Sequence, residues 1–389
     1  MHKTARRITQ FEWGALLTGS LPMGCEQCLK GAKLVIFATG KCRNPLCRSY
    51  CPISSERRDK DIVYANERKI GKWSSKSGLE VVIKEAENAG SEGASFTGGN
   101  PLLVTDRVIE VAKNLKKHFG TAFHLHLYAP VYHLKNRLLD KLCLVIDEIR
   151  FHPTSLEELR MLDQAFLKNW DFGIEVPAFP GQERYLIAIA KWLESKALKY
   201  EKTPFLNINQ LESSESNYRF LLDSGFSYEK GSLVAIAGSS QTASAVVSWV
   251  SNNLKQTTAH YCPSSAKDAV QFPARLLRYA HNMAQPFDII REEGPHRGLL
   301  IRGTIRGKCA LTKRQQERLR TILLEKLEIP EDQIAWDPNK ERFLVNPLIL
   351  EDLASDIRDI SRVEGLDLLF GIVEEYPTAD GLETGFDPL

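Results

Sequence analysis

KLVIFATGKCRNPLCRSYCPIS, residues 33–54, is the stretch that decides the fold. Its first part is apolar and rich in β-branched residues as far as Phe37, which predicts a strand. The loop after that strand carries three cysteines, Cys42, Cys47 and Cys51. Arg, Asn and Ser separate them, so the three thiols cannot all be buried on one apolar face. Disulfides and a metal site are the two remaining interpretations.

Length and composition set the broad class of the protein. The chain has 389 residues and a formal net charge of +2. This length allows one large α/β body with an accessory region, and the balanced charge neither requires nor excludes a nucleic-acid partner. No apolar run approaches the ~20 residues that span a bilayer, and the N-terminus lacks the apolar segment of a signal peptide. We therefore expect a cytoplasmic protein, and a reducing cytosol favours metal over disulfides.

Helical and extended patterns alternate through the middle of the chain. Amphipathic spacing predicts helices over residues 76–89, 104–118, 155–167, 182–195 and 214–223. Short apolar runs predict strands over residues 34–37, 94–97, 122–128, 145–151, 172–176 and 205–208. About six such βα units predict an α/β fold, in which a parallel sheet with right-handed crossovers curls into a partial (β/α)6 TIM-like barrel.

The ends of these predicted strands carry the candidate site. In a parallel sheet the chemistry lies at the C-terminal strand ends, where the loops converge. The cysteine loop follows the first strand, and the motif GGNP, residues 98–101, follows the second. The later strands end near Tyr128, His152, Glu175, Pro177, Asn207 and Asn209. We expect the cysteine loop, the GGNP motif and these strand-end residues to line one site at the C-terminal edge of the sheet.

A second group of candidate metal ligands lies outside the cysteine loop. Cys25 and Cys28 have CxxC spacing, and the sequence HYC offers His260 and Cys262. Together they form a Cys3His set of the kind that Zn²⁺ accepts. We expect a structural zinc, or a second cluster, that joins the N-terminal lead-in to the segment after the barrel. The alternative is that Cys262 is a buried thiol and His260 a surface side chain.

The chain is predicted to have four regions. Residues 1–30 form an irregular lead-in with at most a short helix, and residues 31–230 form the barrel. Residues 231–294 form a connecting α/β segment that begins with a strand over 231–238. Residues 295–389 form a small α+β accessory domain for substrate recognition. The first part of this domain is basic, and either a solvated helix face or a nucleic-acid surface explains its charge. The basic residues are Arg297, Arg302, Arg306, Lys308, Lys313, Arg314, Arg318 and Arg320.

Several motifs resemble one enzyme family. A strand followed by TG, then three cysteines with Tyr50 before the last, then GGNP one unit later, resembles the radical S-adenosylmethionine (radical SAM) superfamily. The stretches CPISSERRDKDIVYANE, HYCPSSAKDAVQ and EEYPTADGLE look like an archaeal-type group related to pyruvate formate-lyase activating enzymes. The resemblance covers most of the chain.

The resemblance implies two cofactors and assigns residues to them. It implies a [4Fe–4S] cluster on Cys42, Cys47 and Cys51, with SAM ligating the fourth iron. The family spacing is CxxxCxxC, and each gap here is one residue longer, which a loop can absorb. One-electron reduction of SAM would then give a 5′-deoxyadenosyl radical that abstracts hydrogen from a substrate. The residues expected to bind SAM are Tyr50, Gly98, Gly99, Asn100, Pro101, Tyr128 and Glu175.

The resemblance leaves the catalytic residues and the substrate unassigned. It implies an electron donor such as a ferredoxin or flavodoxin. We expect a peptide, lipid or small-molecule substrate, and an RNA-modifying radical enzyme is the alternative of the same class. A non-catalytic, zinc-stabilised RNA-binding protein is the alternative from a different class, and the basic stretch from Arg297 to Arg320 motivates it.

Overall fold

The computed structural model describes residues 5–132 and 134–389, so the first four residues of the predicted lead-in lie outside the described residues. The chain divides into two compact units. The first contains the chain up to Glu87 together with Ser91–Phe272, and the second contains Asn88–Gly90 and Pro273–Leu389. Within the described ranges, no helix is long and apolar enough to cross a membrane.

The first unit is built on an eleven-stranded sheet. Its strands are β1 (Ile8–Gln10), β2 (Leu16–Thr18), β3 (Lys33–Thr39), β4 (Val63–Ala65), β5 (Arg68–Gly71), β6 (Gly93–Gly98), β7 (His124–Pro130), β8 (Glu148–His152), β9 (Asp171–Ala178), β10 (Phe205–Gln210) and β11 (Thr258–Cys262). β3 and β6 to β11 pair in parallel in chain order. The predicted α/β class with a parallel sheet is therefore confirmed, and β11 adds a seventh parallel strand to the six predicted.

Helices precede, connect and follow the parallel strands, and those between strands follow the predicted alternation. They are α1 (Met23–Leu29), α2 (Ser75–Asn88), α3 (Thr105–Phe119), α4 (Asn136–Leu142), α5 (Asp163–Phe166), α6 (Glu183–Tyr200), α7 (Tyr218–Asp223), α8 (Ser239–Asn253) and α9 (Ser264–Ala266). The single helix predicted over residues 155–167 is wrong. That segment is a 3₁₀ helix, Glu157–Leu162, followed by the one-turn α5.

Alternate residues of the parallel strands face in opposite directions. In β3, Leu34 and Ile36 belong to the main hydrophobic core between the sheet and its helices. In β10, Leu206 and Ile208 do the same, whereas the neighbouring Asn207 and Asn209 face the opposite side of the sheet. One face of the sheet is therefore apolar, and the other is available for polar side chains.

Two predictions about the borders of the first unit are wrong. The lead-in is not irregular, because β1 and β2 form a hairpin and β2 pairs antiparallel with β11. Strands of three residues are too short to show a period in the sequence. Residues 231–238 form no strand either, since the ladder there is reduced to isolated bridges, and Gly231 and Gly238 adopt positive φ angles of 83° and 86° that turn the chain.

The second unit combines an antiparallel sheet with helices. Its strands are β12 (Ile289–Ile290), β13 (Leu300–Gly307), β14 (Ile334–Asp337), β15 (Arg342–Val345), β16 (Leu368–Glu375) and β17 (Glu383–Pro388), and its helices are α10 (Phe272–Met283), α11 (Lys313–Thr321), α12 (Pro347–Asp352) and α13 (Ala354–Val363). The main order is β14-β15-β13-β16-β17. A capping box of Thr312 and Gln315 begins α11.

Candidate functional site

The polar face of the parallel sheet lines a cavity of about 700 Å³ in the first unit. All seven parallel strands contribute lining residues to this cavity. The residues that the sequence placed at strand ends all reach it, namely Tyr128, His152, Glu175, Pro177, Asn207 and Asn209. The structure therefore brings the ends of four strands, β7 to β10, to one site, as the alternation of βα units predicts.

The cysteine loop forms part of the wall of this cavity. It runs between β3 and β4 without a helix or strand, so its longer spacing is absorbed by turns. Its three cysteines, which we call the loop set (Cys42, Cys47 and Cys51), all line the cavity as half-buried free thiols. The loop is held at its start, where Asp61 accepts a hydrogen bond from Thr39 (3.0 Å) and Arg107 donates to Asp61 (2.9 Å).

The three thiols of the loop set are close enough to influence one another. Burial, and then the neighbouring Cys42 and Cys51, raise the pKa of Cys47 to about 12. Among residues 5–132 and 134–389, no three histidine, cysteine or carboxylate side chains are grouped tightly enough to hold a single metal ion. A [4Fe–4S] cluster binds each thiolate to a different iron atom and spreads its ligands further apart. Three free thiols on one loop are a donor set that a [4Fe–4S] cluster accepts, with one iron left for another ligand.

The glycine motif packs directly against the cysteine loop. The Gly99 amide donates to the Thr39 carbonyl (2.7 Å), and the Asn100 amide donates to the Lys41 carbonyl (2.8 Å). Gly98 has a φ of +126°, and a Cβ there would overlap the Thr39 carbonyl oxygen. Both glycines line the cavity. The motif thus exposes backbone, and no side chain, beside the loop set.

The rest of the motif has a structural contact of its own. The Asn100 side chain is buried, and its Oδ1 accepts a hydrogen bond from the Leu102 amide (3.0 Å). It caps a 3₁₀ helix, Pro101–Val104, and Pro101 occupies the first turn of that helix. Neither residue is among those that line the cavity. A contact of Asn100 or Pro101 with SAM stays a prediction.

Tyr50 is held in the cavity wall by a histidine. The His152 Nδ1 lies 3.0 Å from the Glu175 carbonyl oxygen, which can only accept, so this nitrogen carries the proton. The His152 Nε2 therefore accepts from the Tyr50 hydroxyl at 3.1 Å. Burial lowers the pKa of His152 and keeps the ring neutral. The Tyr50 ring also packs edge-on against Phe179, with ring centroids 5.0 Å apart.

A buried ion pair supports the far wall of the cavity. Arg150 donates to Glu175 (2.7 Å) and to Glu148 (2.5 Å), and Asn209 donates to the second oxygen of Glu175 (2.9 Å). Burial raises the pKa of Glu175, but Arg150 and Asn209 outweigh it and leave the pKa below its usual value. The Arg150 guanidinium carbon lies 5.5 Å from the centroid of the Tyr128 ring. The Glu175 carboxylate is therefore ionised and already paired.

Sequence reasoning missed three further residues of the site. Arg150 lies two positions before His152 on the same strand face, so the two-residue period could have found it. Asn217 donates to the Tyr50 carbonyl (3.0 Å), and Gln271 contacts Cys28. The last two come from segments outside the sheet, and no local pattern marks them.

The second group of predicted metal ligands faces the same cavity. Cys25 and Cys28 of α1, and His260 and Cys262 of β11, all line it. His260 is 3% exposed, so the alternative of a surface histidine is wrong. Its Nδ1 lies 2.6 Å from Asn207 Oδ1, and burial lowers its pKa to about 4. The four candidate ligands thus lie on the cavity wall, and the metal that they were predicted to hold stays a prediction.

Comparison with known proteins identifies the class that the fold and the site define. The chain is 36% identical over 385 residues to a protein of Methanocaldococcus jannaschii, with 95% of this chain and 93% of that protein covered. The chain therefore belongs to the radical SAM superfamily, whose cofactors are SAM and a [4Fe–4S] cluster. The relative is named as a candidate glycyl-radical enzyme activating enzyme.

Other comparisons reach smaller parts of the chain. Residues 298–389 match a family model described as a domain of unknown function, DUF8061. Two solved structures of the radical S-adenosylmethionine methyltransferase TsrM from Kitasatospora setae are similar at 12% and 11% identity, with TM-scores of 0.33 and 0.31. They cover 51% and 49% of this chain, which spans 40% and 37% of the TsrM chains. At these scores the likeness assigns nothing to the site.

Half of the basic residues in the basic stretch of the second unit have acidic partners. Arg302 donates to Asp288 (2.7 Å), Lys308 pairs with Asp367 (2.8 Å), and Arg320 pairs with Glu331. Arg318 likewise pairs with Glu364. Four of the eight basic residues, for which a solvated helix face and a nucleic-acid surface are the two explanations, thus have a carboxylate beside them, and this gives the RNA hypothesis no added support.

Proposed function

We propose that the chain cleaves SAM reductively and abstracts a hydrogen atom from a polar substrate held in the cavity of the first unit. The observation that carries this proposal is the shared wall formed by the loop set and the two glycines, Gly98 and Gly99. In this proposal the parallel sheet forms a partial barrel, and the cavity is its interior.

Each part of the wall would have a separate role. Cys42, Cys47 and Cys51 would hold the [4Fe–4S] cluster and leave one iron open. The backbone of Gly98 and Gly99 would bind the methionine end of SAM, because it presents polar groups without a side chain in the way. When both cofactors are bound, the reduced cluster would supply the one electron that splits SAM into methionine and a 5′-deoxyadenosyl radical, and this radical would take hydrogen from the substrate.

Other residues would position the cofactor and exclude water. The Tyr50 ring, fixed by His152, would pack on the adenine side of SAM. The Glu175 carboxylate, paired with Arg150, is fixed in place before any ligand binds. The electron would come from a ferredoxin or flavodoxin, because the cluster and SAM both have to receive it from outside the chain. The cytoplasmic location predicted from the sequence suits such a donor.

The proposed substrate class rests on the relative. The carboxamides of Asn207, Asn209 and Gln210 line the cavity, but they already hydrogen-bond within the chain and favour no particular substrate. The name of the M. jannaschii protein refers to activation of a glycyl-radical enzyme, in which the substrate is a backbone glycine. We propose a peptide glycine as the hydrogen donor of this chain.

The first experiment tests the cofactors. Anaerobic reconstitution with iron and sulfide should give a brown protein that forms 5′-deoxyadenosine and methionine from SAM when a reductant is added. A Cys42, Cys47 and Cys51 triple alanine variant should form neither product, and Cys143→Ala should behave like the wild type. A colourless protein that binds only zinc would contradict the proposal.

The second experiment tests the substrate class. The holoenzyme is mixed with an extract of its source cells grown on α-deuterated glycine, and 5′-deoxyadenosine is analysed by mass spectrometry. We expect a gain of one deuterium that disappears when the extract is treated with protease and survives ribonuclease. Loss of the deuterium after ribonuclease alone would favour an RNA substrate instead.

A further inference from the structure

A second set of three thiols faces the cavity, and the proposed function does not use it. We call Cys25, Cys28 and Cys262 the helix-side set. Cys25 and Cys28 are three residues apart on α1 and so lie on one face of that helix. Cys262 is the last residue of β11, the strand that closes the parallel series. All three line the same cavity as the loop set.

One carboxamide joins two members of the helix-side set. Gln271 Oε1 lies 2.9 Å from the Cys28 sulfur, and Gln271 Nε2 lies 3.6 Å from the Cys262 sulfur. Gln271 ends a π-helical turn, Lys267–Gln271, a conformation that is rare and often found at functional sites. Cys25 is close enough to Cys262 for the two thiols to interact electrostatically. The three sulfurs therefore form one local group.

Positive charges surround this group. The Arg150 guanidinium lies 3.3 Å from the Cys25 sulfur. Lys33 is a charged neighbour of Cys25 and Cys28, and Lys267 is one of Cys262. An iron–sulfur cluster with three thiolate ligands carries net negative charge, which fixed cations stabilise. Glu148 and Glu175 both pair with Arg150, and Glu212 pairs with Lys267, so carboxylates offset much of this positive charge.

A single zinc ion does not suit the helix-side set. Zinc needs four ligands at about 2.0–2.3 Å, and no three cysteine, histidine or carboxylate side chains of the described residues are grouped that tightly. The thiols of the loop set also influence one another, and they too are not grouped for a single metal ion.

We propose that Cys25, Cys28 and Cys262 hold a second [4Fe–4S] cluster on the wall of the substrate cavity. Three thiolates leave one of its irons without a protein ligand, and that iron is accessible to a substrate with an oxygen, nitrogen or sulfur donor. The proposal goes beyond the proposed function and does not depend on SAM binding.

The iron content of the wild-type protein is the first test and needs no variant. Anaerobic reconstitution should give about eight iron and eight sulfide per chain, which is two four-iron clusters. A wild-type content of about four iron, with one zinc per chain in addition, would overturn the second cluster and leave the proposed function standing. A wild-type protein without iron would overturn both.

Matched variants assign each cluster to its cysteines. The helix-side triple alanine variant and the loop-set triple alanine variant should each retain about four iron. Cys143→Ala and Cys309→Ala, which change cysteines outside the cavity, should retain the wild-type content. The single variant Cys28→Ala, checked by circular dichroism, covers the case in which a triple variant misfolds, and it should also lose about half of the iron. Full iron content in a folded Cys28→Ala variant would contradict the proposal.

Electron paramagnetic resonance separates the two clusters by their response to SAM. In the reduced wild type, SAM should shift the signal of the loop-set cluster only. The loop-set variant should keep a signal that SAM leaves unchanged, and the helix-side variant should keep the signal that SAM shifts. A loop-set variant without any iron signal would contradict the second cluster.

Discussion

The loop set and the helix-side set place the same number of thiols on one cavity with different supports. Cys42, Cys47 and Cys51 come from one turn-rich loop within ten residues. Cys25 and Cys28 come from a short helix, and Cys262 comes from the last parallel strand, far along the chain. The first set is assembled by local sequence, and the second exists only when the sheet is complete.

Their surroundings differ as much as their supports. The loop set lies beside the exposed backbone of Gly98 and Gly99, whereas the helix-side set lies beside Arg150 and Lys33. Backbone polar groups next to an open iron suit a bound amino acid group such as that of SAM. Fixed cations suit a negatively charged centre that stays in place. The comparison shows that the neighbours of a thiol set, more than the thiols, distinguish one site from the other.

The largest effect is expected from removal of one loop-set thiol. Cys47→Ala should lower the rate of 5′-deoxyadenosine formation by more than about 1,000-fold, because the group that carries the chemistry is lost. Product is measured by chromatography on reconstituted protein, and Cys143→Ala is the control. An equal loss of 5′-deoxyadenosine formation in Cys28→Ala would erase the distinction between the two sets.

A glycine variant should show that the backbone of Gly98 and Gly99 affects SAM binding without affecting the iron content. Gly98→Ala combines a positive φ with overlap of the Thr39 carbonyl, at a cost of about 1–3 kcal/mol. We expect SAM affinity, titrated on the reconstituted protein, to fall about 10-fold to 100-fold with normal iron content. The control Gly120→Ala has φ +92° and open space around its Cβ. If both variants bind SAM equally well, close backbone packing is not what holds SAM.

The tyrosine contact should have a smaller effect. Tyr50→Phe removes the hydrogen bond to His152, and SAM affinity should fall about 2-fold to 10-fold. His152→Phe should have a similar effect, and the double variant should be no weaker than either single one, because both remove the same bond. Tyr185→Phe, which loses a hydroxyl bonded to the Pro153 carbonyl, serves as the control. Fully additive losses would mean that Tyr50 and His152 act separately.

The smallest effect concerns the support of the cysteine loop. The Arg107 hydrogen bond, together with that of Thr39, lowers the pKa of Asp61 to about 2. A folded pKa below the unfolded value gives stability that is complete above about pH 4 and is lost towards pH 2. Asp61 is one-third exposed, so Asp61→Asn should cost about 1 kcal/mol, or about 1–2 °C in Tm.

The decrease in Tm caused by Asp61→Asn should be the same at pH 5 and pH 8, because the Asp61 carboxylate stays ionised throughout that range. Thermal melts of the reconstituted protein measure it, with Asp106→Asn as the control, since the Asp106 side chain is 97% exposed. A difference that shrinks between pH 8 and pH 5 would contradict the assigned pKa direction.

Local periodicity accounts for the part of the fold that could be predicted. The βα alternation predicted six of the seven parallel strands, because each strand shows its own apolar run before the next helix begins. The hairpin β1–β2 was missed, since strands of three residues show no period and are stabilised by pairing with β11. The 3₁₀ helix Glu157–Leu162 was taken for an α-helix, because apolar spacing of three and four residues fits both conformations.

The candidate site could be predicted where it follows the strands. Tyr128, Glu175 and Asn207 were found because polar residues at strand ends of a parallel sheet converge. Apolar and polar residues alternate in β7, β8 and β10, although strands covered on both faces are usually apolar throughout, so this alternation also marks the buried Arg150. Gln271 has no such mark, because its role depends on contacts with distant parts of the chain.

The sequence by itself determined the residue types, the local conformations and the ten-residue cysteine motif, because these depend on near neighbours along the chain. Only the tertiary structure decided that Cys25, Cys28 and Cys262 share a cavity with that motif. Their meeting requires seven strands to pair in order and α1 to lie near the end of β11. Contacts of this range arise from packing of the whole sheet, and no local period records them.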